Sequence, residues 1–288
     1  MNFKNVQQSS RKKLPFGIAQ IGKSFRNEIS PGNFVFRMRE FEQMEMQYFV
    51  RPGDAASAAF DEWLPKRKAW YERYGVTPSR LRFREHASDE LAHYAKKAMD
   101  VEYRFPFGWK ELEGVHNRGD FDLSRHAAES GENLSYFDPT TEESYTPWVV
   151  EAAAGADRAA FTFFIDAYRE EVVRDEKRVV LGLHPELAPY KVAVLPLLKK
   201  RDDLVELAHS IRNGLAREFA AVYDDTAAIG KLYRRQDEIG TPWCICVDVE
   251  SMEDRAVTVR ERDSMGQERI SVDRLEEYFL GKLRAARP

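Results

Sequence analysis

The sequence predicts an α+β protein in two parts: an antiparallel-sheet domain over residues 1–186 and an α/β domain over residues 187–288. Three observations carry that prediction. Two runs rich in Phe, Val and Ile flank Pro31-Gly32-Asn33, the punctuation of an antiparallel hairpin. Later strands in the first part follow one another mostly through turns, with helices as backing. Beyond residue 187, short apolar strands alternate with helices, the pattern of a mixed sheet.

The hairpin covers Phe25 to Glu45, FRNEISPGNFVFRMREFEQME. Strand side chains alternate faces, so the even positions Phe34, Phe36, Met38, Met44, Met46 and Tyr48 should pack on a core, interrupted only by Glu40 and Glu42. The odd positions Arg37, Arg39, Phe41, Gln43, Glu45 and Gln47 should face the other way, as a polar face that wants a ligand. Phe41 and Glu45 would stand ~13 Å apart, which leaves room for a planar base at one and a small cation at the other. Arg26 and Glu28 share a face of the first strand. Guanidinium forks grip phosphate or carboxylate with two bonds, and a glutamate can accept from an exocyclic amine. An exposed, ion-paired hairpin would show the same alternation of charge.

Residues 54 to about 100 read as a charged helical insertion lying over the sheet, with Trp63, Trp70 and Tyr74 as anchors and Pro65 and Pro78 as interruptions. It serves either as a solvated cover or as an RNA contact. Strand character returns where Val101, Tyr103 and Phe105 alternate with polar neighbours, and again in PWVVEA, which runs through AAGADR into a helix, AAFTFFIDAYREEVV. In the second part, KVAVLPL is a short apolar strand. The helix after it sets Leu204, Leu207, Ala208, Ile211 and Leu215 on one face. AAVYDD, a helix through GKLYRRQDEIG, the strands WCICVDV, AVTVRER and ERISV, and a final helix from Asp273 complete the alternation.

Forty-four basic residues against 48 acidic ones give a net charge of −4. That balance neither supports nor excludes RNA, because a protein that reads a folded RNA needs a basic surface only where the backbone lies. No apolar run approaches the roughly eighteen residues of a membrane span, and MNFKNVQQSSRKK lacks the apolar core of a secretory signal; the expected location is cytoplasmic. Cys244 and Cys246, two apart in a strand-like run, read as buried positions, since a zinc site needs four ligands and no second pair exists. The six histidines show no HExxH spacing.

FRNE followed after a turn by RMREF resembles the second signature motif of the class II aminoacyl-tRNA synthetases. The continuation FEQMEMQYF is similar to the homodimeric glycyl type of that family. HYAKKAMDVEYRFPFGWKELEGVHNRGDFDLSRH at 93–126, VVEAAAGADR at 149–158 and LHPELAPYKVAVLPL at 183–197 agree in collinear order. The resemblance implies the class II catalytic fold followed by an anticodon-binding domain, with ATP and Mg2+ as cofactors, glycine and tRNA(Gly) as partners, and a homodimer.

It also implies a site. Arg26 and Arg158 are its catalytic residues, and Arg26 clamps the α-phosphate and the glycine carboxylate. Glu28 accepts from the adenine amine, Phe41 stacks on the ring, and Arg37 meets the terminal phosphates of a bent ATP. Asn27, Phe36, Glu111, Leu112, Gly155, Ala156 and Asp157 complete the implied ATP set. Arg158 opens a helix, where backbone N–H groups and the helix dipole favour anions, and Gly155 permits close approach; read alone, such a helix start is only a cap. Glu111 is the implied Mg2+ contact, while Glu113 either shares that role or forms a structural ion pair. For glycine the implied set is Phe41, Glu42, Gln43, Met44, Glu45, Glu151, Ala153 and Gly155. Glu45 and Glu151 surround the ammonium and are expected to be ionised, because a bound cation and Arg26 favour the carboxylate.

Two departures stand out. Glu151-Ala152-Ala153-Ala154-Gly155 occupies the place of the family's Glu-Pro-Ser-x-Gly, so one hydroxyl is lost, at a cost of about 1 kcal/mol. The family's first signature motif and its Arg-Pro-Glu-Thr-Ala-Gln-Gly segment, which precede the counterpart of Met1-Asn2-Phe3, are not in this sequence. The expectation is therefore a chain that starts inside the catalytic domain. Three functional readings follow: a glycine–tRNA ligase, a synthetase-derived RNA-binding protein without catalysis, and an unrelated ATP-dependent ligase, which FEQME and KELEG disfavour. Lys231, Arg234 and Arg235 form a basic helix face that is either a tRNA contact or simply solvated.

Overall fold

A computed structural model describes residues 2–87, 89–93 and 95–287. The chain forms two compact units, Met1–Glu72 with Val76–Thr162, and Arg73–Gly75 with Phe163–Pro288.

The first unit runs α1 (Phe3–Ser10), β1 (Phe16–Phe25), β2 (Glu40–Val50), α2 (Asp54–Arg73), β3 (Leu81–Glu85), β4 (Lys97–Phe105), β5 (Gly108–Gly119), α3 (Phe121–Ser130), the short pair β6 (Tyr136–Asp138) and β7 (Glu143–Tyr145), β8 (Trp148–Gly155) and α4 (Ala156–Ala167). Six strands make an antiparallel sheet in the order β1-β2-β8-β5-β4-β3. Its two faces are used differently. Met46, Tyr48, Val50, Val115, Val150 and Ala152 pack beneath Ala56, Ala59, Phe60 and Leu64 of α2. On the other face Phe49 and Val149 meet Phe3 of α1 and Leu123 of α3, which closes one end of that face and leaves the rest open.

Three expectations change here. The hairpin turn is not three residues long: β1 stops at Phe25, β2 starts at Glu40, and residues 26–39 form a loop with a 3₁₀ turn at Phe34–Phe36. Asn33 and Phe34 both have φ of 55°, a left-handed conformation that no strand accommodates, so the even–odd alternation begins only at Glu40. Within the stretch read as a helical insertion, only Asp54–Arg73 is a long helix; β3 and the start of β4 are sheet. The helix after Gly155 ends at Ala167, where YREEVV turns to a two-residue alternation of burial and becomes a strand.

In the second unit that strand, β9 (Tyr168–Val173), pairs with β10 (Glu176–Leu181). There follow β11 (Val192–Pro196), α5 (Asp202–Leu215), β12 (Ala221–Tyr223), α6 (Ile229–Ile239), β13 (Trp243–Val247), α7 (Ser251–Asp254), β14 (Ala256–Glu261), β15 (Gln267–Ser271) and α8 (Leu275–Ala286). The mixed sheet has the order β12-β11-β13-β14-β15, with β11 parallel to both its neighbours and the remaining pairs antiparallel. The stripe Leu204, Ala208, Ile211 and Leu215 buries against one face with Phe279 of α8, and Leu232 of α6 closes the other over Ala193, Leu195 and Cys244. Both cysteines are buried, and desolvation pushes Cys244 up to about 12 and Cys246 to about 11, so the thiols are unreactive.

A charged cluster lies inside this unit. The Asp237 carboxylate, fully buried, accepts from Arg178 Nε (2.9 Å) and from both terminal nitrogens of Arg260 (2.9 and 3.1 Å). Arg178 also donates to Glu171 (2.8 Å) and to the Arg262 carbonyl. Buried charges persist only when paired and hydrogen-bonded, and here they pin the β9–β10 pair to α6 and β14. Among the described residues no helix is long and apolar enough to cross a membrane.

Candidate active site

On the open face of the six-stranded sheet lies a cavity of about 570 Å³. Strand register explains which residues meet in it. Glu45 on β2 stands opposite Ala153 on β8, which stands opposite Gly114 on β5; one step along, Gln47, Glu151 and His116 form the same kind of row. Residues far apart in sequence thus become lateral neighbours. The first row is small beyond Glu45, which leaves open floor beside that carboxyl. The His116 ring lies over Gly114, where a Cβ would meet His116 Cε1 at 2.6 Å.

One end of the cavity is cationic. Arg26 sits 5.2 Å from the centroid of the Phe41 ring, and Arg158 lies 4.2 Å from that of Phe36. Arg158 donates to the backbone carbonyls of Glu111 (2.9 Å) and Phe36 (3.1 Å), with the Glu111 carboxylate 3.7 Å away. Arg37 reaches the Glu28 carboxylate at 3.8 Å, while Arg39 donates to the Glu28 carbonyl (2.9 Å). Burial draws the Arg158 pKa down; Glu111 opposes this, and the charges of Arg26 and Arg37 add to the downward push. Three guanidiniums face one space, and a polyanion would relieve their repulsion. At the start of α4, Asp157 accepts the Glu42 backbone N–H (2.9 Å) and ties the helix to β2.

The other end is acidic. Glu151 accepts from Gln47 (2.8 Å) and Arg118 (3.2 Å), and Nδ1 of His116 lies 3.3 Å from it without the alignment of a hydrogen bond. Burial raises the Glu151 carboxyl, but His116, Gln47 and the charge of Arg118 outweigh it and hold the group below its ordinary value. Glu45 goes the other way: burial and then the Glu151 charge lift it above its ordinary value, against Arg118, Gln47 and Arg26. The two carboxylates are thus an unlike pair, and Arg118 acts on both, ahead of Arg26, to which the sequence points as the nearby charge. Arg118 is itself held by Asp122 through two bonds of 2.6 and 2.9 Å.

Residues 2–178 match the family described as the tRNA synthetase class II core domain (G, H, P, S and T), and residues 191–282 match the anticodon binding domain. The chain belongs to the class II tRNA synthetases. It is 52% identical over 98% of its length to a glycine–tRNA ligase of Thermobifida fusca. Against the ligases of the same name from Caldanaerobacter subterraneus and Alkaliphilus oremlandii, identity is 52% and 54%, each over 99% of the chain. The chain spans only 61–63% of the length of these three relatives.

Within this class II core the cavity gathers most of the residues singled out from the sequence: Arg26, Glu28, Phe36, Arg37, Phe41, Gln43, Glu45, Glu111, Glu151, Ala153, Gly155, Asp157 and Arg158. Asn27, Glu42, Met44, Leu112 and Ala156 do not line it. Glu42 and Met44 are even positions of β2 and point to the opposite face, and Leu112 is buried. Of the two roles open to Glu113, the ion pair is the one realised: it is 1% exposed and bonded to Arg67 (3.2 Å) and to the Tyr71 hydroxyl (2.8 Å). His116, Arg118 and Asp122 line the cavity and were not singled out, although the two-residue period of GVHNR already sets 114 and 116 on one face.

No three His, Cys, Asp or Glu side chains among the described residues cluster closely enough to hold a metal. The Glu111 carboxylate alone suits a cation that takes most of its ligands from phosphate and water, as Mg2+ does.

Proposed function

We propose that the chain works as a glycine–tRNA ligase: it activates glycine with ATP to glycyl-adenylate and passes the glycyl group to the 3′ end of tRNA(Gly). The observation that carries this reading is the convergence of Arg26, Glu28, Phe41 and Arg158 on one cavity that has Glu45 and Glu151 at its far end. Arg26 bridges the glycine carboxylate and the α-phosphate, so that the carboxylate oxygen attacks phosphorus and pyrophosphate leaves; fixing the two partners in this way accounts for many powers of ten in rate. Phe41 and Glu28 hold the adenine, and Arg37 and Arg158 the phosphates. Mg2+ beside Glu111 would neutralise charge on the leaving pyrophosphate. The ammonium sits between Glu45 and Glu151, and a larger amino acid is refused by crowding at its α-carbon.

In this reading residues 1–186 are the catalytic domain, residues 187–288 the anticodon-binding domain, and the enzyme is a cytoplasmic homodimer. On α6, Arg235 is already engaged with Asp224, which leaves Lys231 and Arg234 as the tRNA contacts to test. Glycine-dependent exchange of labelled pyrophosphate into ATP tests the chemistry, and Arg26→Ala should lower it by orders of magnitude. Exchange unchanged by that substitution would remove Arg26 from the reaction. The match of residues 191–282 to the anticodon binding domain supports a second reading, a synthetase-like RNA-binding protein without catalysis. Binding of tRNA(Gly) by the 288-residue chain without any pyrophosphate exchange would select it.

A further inference from the structure

One row of the sheet's open face carries almost no side chain. In register, Glu45 of β2 stands opposite Ala153 of β8, Ala153 opposite Gly114 of β5, and Gly114 opposite Asp100 of β4. Between the two acids nothing larger than a methyl rises from this row. A floor of that kind would accept an amino-acid side chain. It is covered instead by the imidazole of His116, which lies over Gly114 so closely that a Cβ there would meet Cε1 at 2.6 Å and Nε2 at 3.2 Å.

The ring is held there from two sides. Toward β8, the Glu151 carboxylate comes to 3.3 Å from Nδ1. Toward β3, the His86 ring stands edge-on to it with centroids 6.3 Å apart. His86 Nε2 in turn lies 2.9 Å from one oxygen of Asp100, whose other oxygen is 3.6 Å from Arg84. Only 18% of the His116 side chain is exposed, so the imidazole cannot swing aside without giving up packing on both flanks.

We infer that His116 is the residue that restricts this cavity to glycine, an inference that rests on reading the cavity as the site of glycine activation. With the carboxylate at Arg26 and the ammonium between Glu45 and Glu151, the α-carbon comes to lie above Ala153, which faces Glu45 across the strand pair and stands two residues from Glu151 on the same face of β8. Glu45 occupies the β2 side of that position and the imidazole the β5 side. The methyl of L-alanine, directed toward β5, would have to enter the space that His116 fills. Refusal by occupied volume is the means open to a site whose substrate has no side chain to recognise.

The test is calorimetric and needs no turnover. Its probes are 5′-O-sulfamoyladenosine carrying glycine, L-alanine or D-alanine, stable mimics of the aminoacyl-adenylate. The parent chain should bind the glycyl probe and hold either alanyl probe about a hundredfold less tightly. His116→Ala should tighten the L-alanyl probe at least tenfold, leave the D-alanyl probe as weak as before, and weaken the glycyl probe less than tenfold. His116→Asn keeps a nitrogen toward Glu151 but lacks the atoms over Gly114, so it should act in the same direction, with circular dichroism checking the fold of both variants. Adding Gly114→Ala to His116→Ala puts a methyl where the ring lay and should loosen the L-alanyl probe again. L-alanyl binding unchanged in both variants, both alanyl probes tightened alike, or loss of the fold in both variants would overturn the inference while glycyl binding by the parent chain left the proposed activity standing. A folded parent chain that binds no glycyl probe would overturn the activity and the inference together.

Discussion

Arginine is used in two opposed ways in this molecule. In the second unit, Arg178 and Arg260 converge on Asp237, and Arg178 has further partners in Glu171 and a backbone carbonyl. In the first unit, Arg26, Arg37 and Arg158 surround a cavity, two of them resting on aromatic faces, and burial together with the charges of Arg26 and Arg37 draws the Arg158 pKa down. Buried arginines that are satisfied by their own chain are structure. Arginines left facing one another across a space express a demand for an anion. The contrast separates binding residues from core residues of the same type.

The largest expected effect breaks the satisfied cluster. Asp237→Ala leaves two buried guanidiniums without their shared carboxylate and should cost about 3–5 kcal/mol of stability, read as a lower urea midpoint. Arg158→Ala should do the reverse: stability within about 1 kcal/mol of the parent, with ATP binding weakened on the order of a hundredfold. If Arg158→Ala unfolds the protein and Asp237→Ala does not, the distinction is wrong.

The unlike carboxylates sharpen the comparison by sign. For Glu45, raised in the folded state, the native protein holds more protons than the unfolded chain between the ordinary and the raised value, so stability falls as pH rises through that window. For Glu151, lowered, stability is fully present above the ordinary value and is lost as pH falls through the native one. Glu45→Gln should therefore raise the melting temperature at pH 7, and Glu151→Gln should lower it, while both impair glycine use. Shifts of the same sign would show that the two groups are not distinguished. The smallest effect is Ala153→Ser, which returns one hydroxyl and should gain about 1 kcal/mol in glycine binding, measured as a roughly fivefold lower KM.

Periodicity revealed the face of β2 that carries Phe41, Gln43, Glu45 and Gln47, the buried stripe of α5 and the buried cysteine pair, because each is a local pattern that burial enforces. It did not reveal the length of the 26–39 loop, since two consecutive left-handed residues, one of them Phe34, have no common sequence signature. Nor did it reveal His116 and Arg118 as neighbours of Glu151. That proximity depends on the register among β2, β8 and β5, and a shift of one residue would have turned their side chains to the opposite face. A motif reached Arg158 and Glu111; the strap between them, made of backbone carbonyls, leaves no trace in residue identity.

That strap has a consequence for how the site fills. A guanidinium carries five N–H donors, and Arg158 spends two on the carbonyls of Phe36 and Glu111. Three remain, enough to grasp a phosphate while the 26–39 loop stays moored to β5. Lysine at this position, with three donors radiating from a single nitrogen, would have one left after holding both carbonyls, too few for a two-pronged grip on the ligand, so the choice of arginine keeps the doorway standing while the guest comes in.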